Sequence, residues 1–404
     1  MIEVRANIVD RAVYVSGERC VCTISVTNLD KGPSGRHQTL AWLSAQLHCQ
    51  CQFNTTLLKM PGFVRTMSSS GKGSDFVRSP PDTSFIPTKG EPGLCSVSTD
   101  STVLACDIRL SPGETKRYTY TEVIPVTAPP SYRGQMVKYS YKVTIGTQRI
   151  NEPTKLLKVP LRVIKLNIKE EQEEEEEKDE ERRTPMTSPF INDSRSNVVN
   201  RALHQLLASA SLRNTRTYNI ASKKGPVVKI IVMKEAYRLG EEISGTVDFS
   251  AGSILCKQIS VTLQSEEKIP EECWVNHTRV QSTCISHTRH HECCLHSSRA
   301  QFMLPIPFTA TPQFSTKLVS LSWKLHFEFL LCSQQTTATR TTVRHKRVKS
   351  TGEKAVVDCD SSSKGVADIV TDTLQWDLAI EVLPAHPAQV ASTSPVKSPV
   401  TIVL

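Results

Sequence analysis

Residues 124–145, IPVTAPPSYRGQMVKYSYKVTI, return without a gap at 306–327 as IPFTATPQFSTKLVSLSWKLHF. Eight of the 22 positions are identical at an offset of 182. Each copy opens on a proline-punctuated stretch, where a missing N–H does a sheet no harm, and runs into alternating apolar and polar residues. Alternation with period two marks a strand that turns one face to a core. A unit repeated at this spacing means a chain built from two like domains.

The match extends in both directions. Upstream, Tyr14, Gly17 and Glu18 of VYVSGERCVCTISV align with Tyr237, Gly240 and Glu241 of AYRLGEEISGTVDF at an offset of 223. AQLHCQ (45–50) aligns with ISVTLQ (259–264) at 214, and LKVPLRV (157–163) with LQWDLAI (374–380) at 217. The order is the same in both halves, so each half is a complete domain. The changes in offset place insertions near 29–39, 54–94 and 331–372, all rich in Ser, Thr, Gly, Pro and charge, as solvated loops are. Clean alternation at 20–27 and 45–53 turns Cys20, Cys22, Ile24 and Val26, and Ala45, Leu47, Cys49, Cys51 and Phe53, inward. Gln46, His48, Gln50 and Gln52 then face outward. Further strands are expected at 115–121, 136–145, 156–165, 227–233, 243–249, 257–264, 299–304, 317–329 and 373–382. Many short strands with Gly and Pro turns predict an all-β chain of two tandem immunoglobulin-like β-sandwich lobes. The expected layout is a first lobe at 1–166, a linker at 167–225, a second lobe at 226–384 and a disordered tail at 385–404.

The linker opens on an acidic run. Lys169 to Glu181 carries ten acids against two lysines, inside a chain of formal net charge +9. Self-repulsion predicts disorder there. A helix is expected at about 196–212, where Val199, Leu203, Leu206, Leu207 and Ala210 form one apolar stripe. It would either dock on a lobe or bind a partner protein. The positive balance outside the run favours anionic lipid or an acidic protein face and does not imply nucleic acid. No secretory signal and no membrane span are expected, so the 13 cysteines should be reduced thiols in a cytosolic protein, and the sequons at Asn54, Asn192 and Asn276 accidental.

Motifs for catalysis are missing: no phosphate loop, no Gly-x-Ser-x-Gly elbow, no His-Glu-x-x-His. Neither catalytic nor cofactor-binding residues are assigned. Cys273, His277, Cys284, His287, His290, His291, Cys293, Cys294 and His296 resemble zinc ligands, with Cys284-x-x-His287 and His290-x-x-Cys293 as short pairs. The pairs lack the regular spacing of structural zinc sites, and no metal is assigned. Cys20, Cys22, Cys49 and Cys51 lie in register with inward apolar residues and are read as core. The run Arg344, Lys346, Arg347 and Lys349 either attracts an anionic membrane or acidic partner, or is a plain solvated loop; it has no interleaved aromatics for nucleic acid. Ser-Pro steps at Ser188, Ser394 and Ser398 suit phosphorylation and unstructured tails equally.

Longer motifs carry a resemblance. They are TLAWLSAQLHCQ (39–50), LSPGETKRYTYTEVIPV (110–126), PPSYRGQMVKYSYKVTIGTQRIN (129–151) and LLKVPLRV (156–163). In the second half they are YNIAS (218–222), YRLGEEISGTV (237–247), SHTRHHECCLHSSR (286–299) and LSWKLHFEF (321–329). With two sandwiches and a linker, the chain resembles the arrestin-fold superfamily and, within it, the smaller partner subunit (subunit two) of the Golgi Rab guanine-nucleotide exchange-factor complex. The resemblance implies a non-enzymatic scaffold paired with a large β-propeller subunit. It implies activation of a Golgi Rab GTPase of the six class for endosome-to-trans-Golgi traffic, by a cytoplasmic protein recruited peripherally to Golgi membranes. A free-standing arrestin-related sorting or ubiquitin-ligase adaptor is the alternative, and Pro129-Pro130-Ser131-Tyr132 fits the Pro-Pro-x-Tyr pattern of that class.

Overall fold

The computed structural model describes residues 1–9, 11–30, 35–59, 93–165, 215–275, 282–332, 371–393 and 399–404. The acidic run, the expected helix at 196–212 and the basic run at 344–349 lie outside them. The described chain is almost entirely strand. The first half holds β1 (Ile2–Ile8), β2 (Val13–Val15), β3 (Arg19–Asn28), β4 (Gln38–Phe53), β5 (Leu94–Ser98), β6 (Thr102–Leu110), β7 (Thr115–Val123), β8 (Tyr132–Arg133), β9 (Val137–Gln148) and β10 (Lys155–Ile164). The second holds β11 (Arg216–Ser222), β12 (Gly225–Val232), β13 (Ala236–Arg238), β14 (Glu242–Asp248), β15 (Cys256–Lys268), β16 (Ser282–Cys293), β17 (Arg299–Pro305), β18 (Phe314–Ser315), β19 (Ser320–Cys332) and β20 (Thr371–Leu383). A short helix, α1 (Pro387–Thr393), and a last strand, β21 (Val400–Val403), follow.

Four sheets make two sandwiches. In lobe 1 the order β21-β1-β3-β7 faces β2-β10-β9-β4-β5, with β6 also on β4 and β8 on β9. In lobe 2 the order β11-β12-β14-β17 faces β13-β20-β19-β15-β16, with β18 on β19. Pairing is antiparallel except for β2 on β10 and β13 on β20, and these two parallel pairs are repeat mates. The shared Tyr-x-x-Gly-Glu motif has a physical basis. Gly17 and Gly240 sit at φ of 88° and 81°, where a side chain would be strained. Their N–H groups donate to the carbonyls of Ile124 and Ile306, the first residues of the repeat. The Glu18 and Glu241 carboxylates accept from the N–H groups of Val15 and Arg238 at 2.9 and 3.0 Å.

The inward cysteines are core: Cys20, Cys22, Cys49 and Cys51 are fully buried. Burial pushes their thiols up, to about 11 for Cys20 and about 12 for the other three. Gln46, His48 and Gln50, expected at the water side, are buried as well. Gln46 donates to Ser98 and Lys142 donates to Gln50, so this face is a buried polar layer and not a solvated one.

Three further expectations need correction. The tail at 385–404 is ordered in part: α1 buries Val390, and β21 pairs with β1 from Glu3↔Val403 to Ala6↔Val400. Its Val400 and Ile402 pack on the lobe 1 core, which explains why a polar-looking end folds. The end of the expected linker is β11, which forms a hairpin with β12 and the outer strand of lobe 2. Two alignment offsets slip by two residues. Leu47 pairs with Val143, and Leu325, the mate of Val143, pairs with Leu263, so β4 and β15 match at 216. Val163 pairs with Tyr14 and Val382 with Tyr237, so β10 and β20 match at 219.

Candidate functional site

Catalytic chemistry needs convergent side chains, and the described part of the His/Cys-rich stretch, outside which His277 lies, does not bring them together. Five of the stretch's nine His and Cys residues lie on β16, whose alternation sends neighbours to opposite faces. Cys284 and Cys293 are exposed, whereas Cys294 and Cys273 are buried. His287 occupies a bulge and turns under the sheet, stacked on Trp323 at 4.7 Å between ring centroids and 2.8 Å from Ser265 Oγ. Among the described residues no group of three or more could hold a metal ion.

The Pro-Pro-Ser-Tyr motif is equally committed. Ser131 and Val163 exchange bonds, with Ser131 N–H donating to the Val163 carbonyl at 2.7 Å and Val163 N–H to Ser131 Oγ at 2.9 Å. Tyr141 donates to the Pro129 carbonyl at 2.6 Å. Tyr132 is 6 % exposed, so the tyrosine that such a motif must present is turned into the protein.

What the sequence brings together instead is the seam between the lobes. Tyr132 meets its own repeat mate, Phe314, edge to face at 5.0 Å. Leu58 and Trp274, mates at the corrected offset of 216, form an antiparallel bridge. Lys59 N–H donates to Cys273 O at 2.7 Å and Val275 N–H to Leu57 O at 3.0 Å, so each lobe gives what it receives. These are pseudo-twofold contacts of the kind that join identical subunits. Phe314, Leu318, Val319 and Trp274 of lobe 2 are continuous with the core of lobe 1.

Two charged side chains break the symmetry. Arg162 of β10 donates to the carbonyls of Phe308 and Ala310 at 3.0 and 2.7 Å, and burial holds its guanidinium below its ordinary value. Glu267 of β15, 1 % exposed, accepts from the N–H groups of Gln135, Met136 and Val137 in lobe 1. Sequence reading missed both. The available signal was an acid at position 267, on an inward face where alternation calls for an apolar residue. The geometry makes one continuous body that presents sheet faces and edges, suited to binding another protein.

No helix among the described residues is long and apolar enough to cross a membrane. The model of the Rgp1 family matches residues 92–172 and 164–332. The chain is 36 % identical over 414 residues to human RAB6A-GEF complex partner protein 2, covering 100 % of both chains. It is 36 % identical over 396 residues to the Bos taurus protein of the same name, covering 96 % of this chain and 95 % of that one.

Proposed function

The chain belongs to the Rgp1 family, and from that premise we propose that it is a non-catalytic scaffold subunit of a guanine-nucleotide exchange complex for a Golgi Rab GTPase of the six class. The observation that carries the reading is the end-to-end match to a protein named as a partner in a RAB6A exchange-factor complex. Its expected counterpart is a larger β-propeller subunit, with the pair recruited peripherally to Golgi membranes for endosome-to-trans-Golgi traffic. The two like sandwiches support an arrestin kind of architecture, with lobes at 1–166 and 226–384 extended by the strands at 216–222 and 400–403. The basic run Arg344, Lys346, Arg347 and Lys349 is the membrane-facing part of this reading, an attraction that weakens with salt.

An exchange factor acts by binding the nucleotide-free GTPase more tightly than the loaded one, which requires a shaped surface and no acid, base or nucleophile. A scaffold whose lobes share a seam and a continuous core suits that task, because it offers a joint surface. The test is affinity purification of the full chain from cytosol, with partners identified by mass, followed by nucleotide release from the Rab. A stoichiometric large partner, and release that requires both subunits, is expected. Recovery alone, or with sorting-coat subunits or a ubiquitin ligase, overturns the reading in favour of a free-standing adaptor.

A further inference from the structure

The turn from β8 into β9 and its mate from β18 into β19 face the same problem: backbone N–H groups converge and need an acceptor. In lobe 2 the turn caps itself. Thr316 N–H donates to the Val319 carbonyl at 2.9 Å, while Thr316 Oγ1 accepts from Val319 N–H at 3.1 Å and lies 3.4 Å from Leu318 N. The matching residue in lobe 1 is Gly134. Its N–H donates to the Val137 carbonyl at 2.9 Å in the same way, but it has no side chain to offer.

The acceptor comes from the other lobe. Glu267 Oε2 accepts from Gln135 N–H at 2.8 Å and Met136 N–H at 3.2 Å, and Oε1 accepts from Val137 N–H at 3.1 Å. Thr283 adds a donor at 3.3 Å. At the corrected offset, Glu267 fills the inward position that Cys51 holds in lobe 1. A Cβ at position 134 would overlap the Glu267 carboxylate. Glycine and carboxylate are therefore complementary halves of one contact.

We propose that Glu267 is the latch between the lobes: a carboxylate delivered from lobe 2 into a backbone nest that lobe 1 leaves open. A buried carboxylate persists only when hydrogen-bonded, and a nest of successive N–H groups is an anion site. Parting the lobes leaves Glu267 with Thr283 alone and exchanges the three backbone donors of lobe 1 for water. The latch also makes the seam one-sided. The Tyr132–Phe314 and Leu58–Trp274 contacts are pseudo-symmetric and would serve two copies of one lobe. Thr316 already fills the nest of lobe 2, so only lobe 1 can receive the carboxylate, and the correct pairing is selected. The inference is independent of the exchange-complex reading.

Hydrogen exchange on the full chain tests it, comparing wild type, E267Q, E267A and G134T/E267A. In wild type the amides of Met136 and Val137 should be slow together with those of Lys59 and Val275, which donate across the seam. E267A should speed both sets by roughly 10- to 100-fold, the cost of leaving buried donors unpaired. E267Q keeps the volume and one carbonyl acceptor, should fall between, and is the variant read if E267A does not accumulate folded. In G134T/E267A the introduced hydroxyl should restore protection at Met136 and Val137 but not at Lys59 and Val275. Wild-type rates at Lys59 and Val275 in both E267Q and E267A would reduce Glu267 to a local turn cap and overturn the latch. Recovery of both sets in G134T/E267A would overturn it too, since capping alone would then hold the seam.

Discussion

His287 shows how a residue's chemistry is set by what covers it. The Cys284-x-x-His287 spacing resembles a pair of zinc ligands, yet the bulge in β16 lays the ring on Trp323 and beside Ser265. Burial holds its imidazole below the ordinary value of 6.5. A histidine that resists protonation when folded costs nothing above that value. Below it the unfolded chain takes up the proton first, so stability falls as the pH drops from 6.5 toward the folded value. Wild type should therefore lose thermal stability relative to H287Q between pH 7.5 and the window below pH 6.5; equal differences at both ends would contradict this. None of it was legible beforehand, because the ring's partners are 22 and 36 residues away in sequence. Glu267 was hidden for the same reason, its donors lying 130 to 132 residues off. The inward cysteines were legible, because neighbours two residues away fix their face.

At the scale of elements, period-two alternation identified β3, β4, β7, β9, β10, β12, β14, β15, β17, β19 and β20. It also explains the errors. A slip of one residue would turn a strand inside out, but a slip of two keeps every side chain on its face. That is why offsets of 214 and 217 looked as good as 216 and 219. β16 escaped notice because its His and Cys residues read as chemistry, and β21 because four residues are too few for a pattern. β21 nevertheless covers the outer edge of β1, as β11 covers that of β12. Deleting 399–404 should cost about 1–3 kcal/mol, from the half-buried Val400, Ile402 and Leu404. It should also expose a paired edge to other chains. Denaturant melts and sedimentation would read both effects; an unchanged midpoint with no self-association would show the strand to be dispensable.

Across the whole molecule, every described cysteine is a free thiol, and their exposure reports on opening. Cys106, Cys284 and Cys293 are exposed, while Cys273 is buried in the seam beside the Leu58–Trp274 bridge. Pulsed maleimide labelling with mass readout should modify the first three in the native protein. Cys20, Cys22, Cys49, Cys51 and Cys273 should react only at the rate of global unfolding. Cys273 labelling ahead of Cys49 would mean that the lobes part before either sandwich melts. The closure of β21 on β1 has a consequence for manufacture. A ribosome working at about 5–20 residues per second delivers the first strand roughly 20–80 s before the last. Through that interval the growing chain carries an open sheet edge, Ile2–Ile8, beside those of its neighbours on the same messenger. The molecule is most exposed to mispairing while it is being made, and crowded polysomes are where loss of the final strand would be felt first.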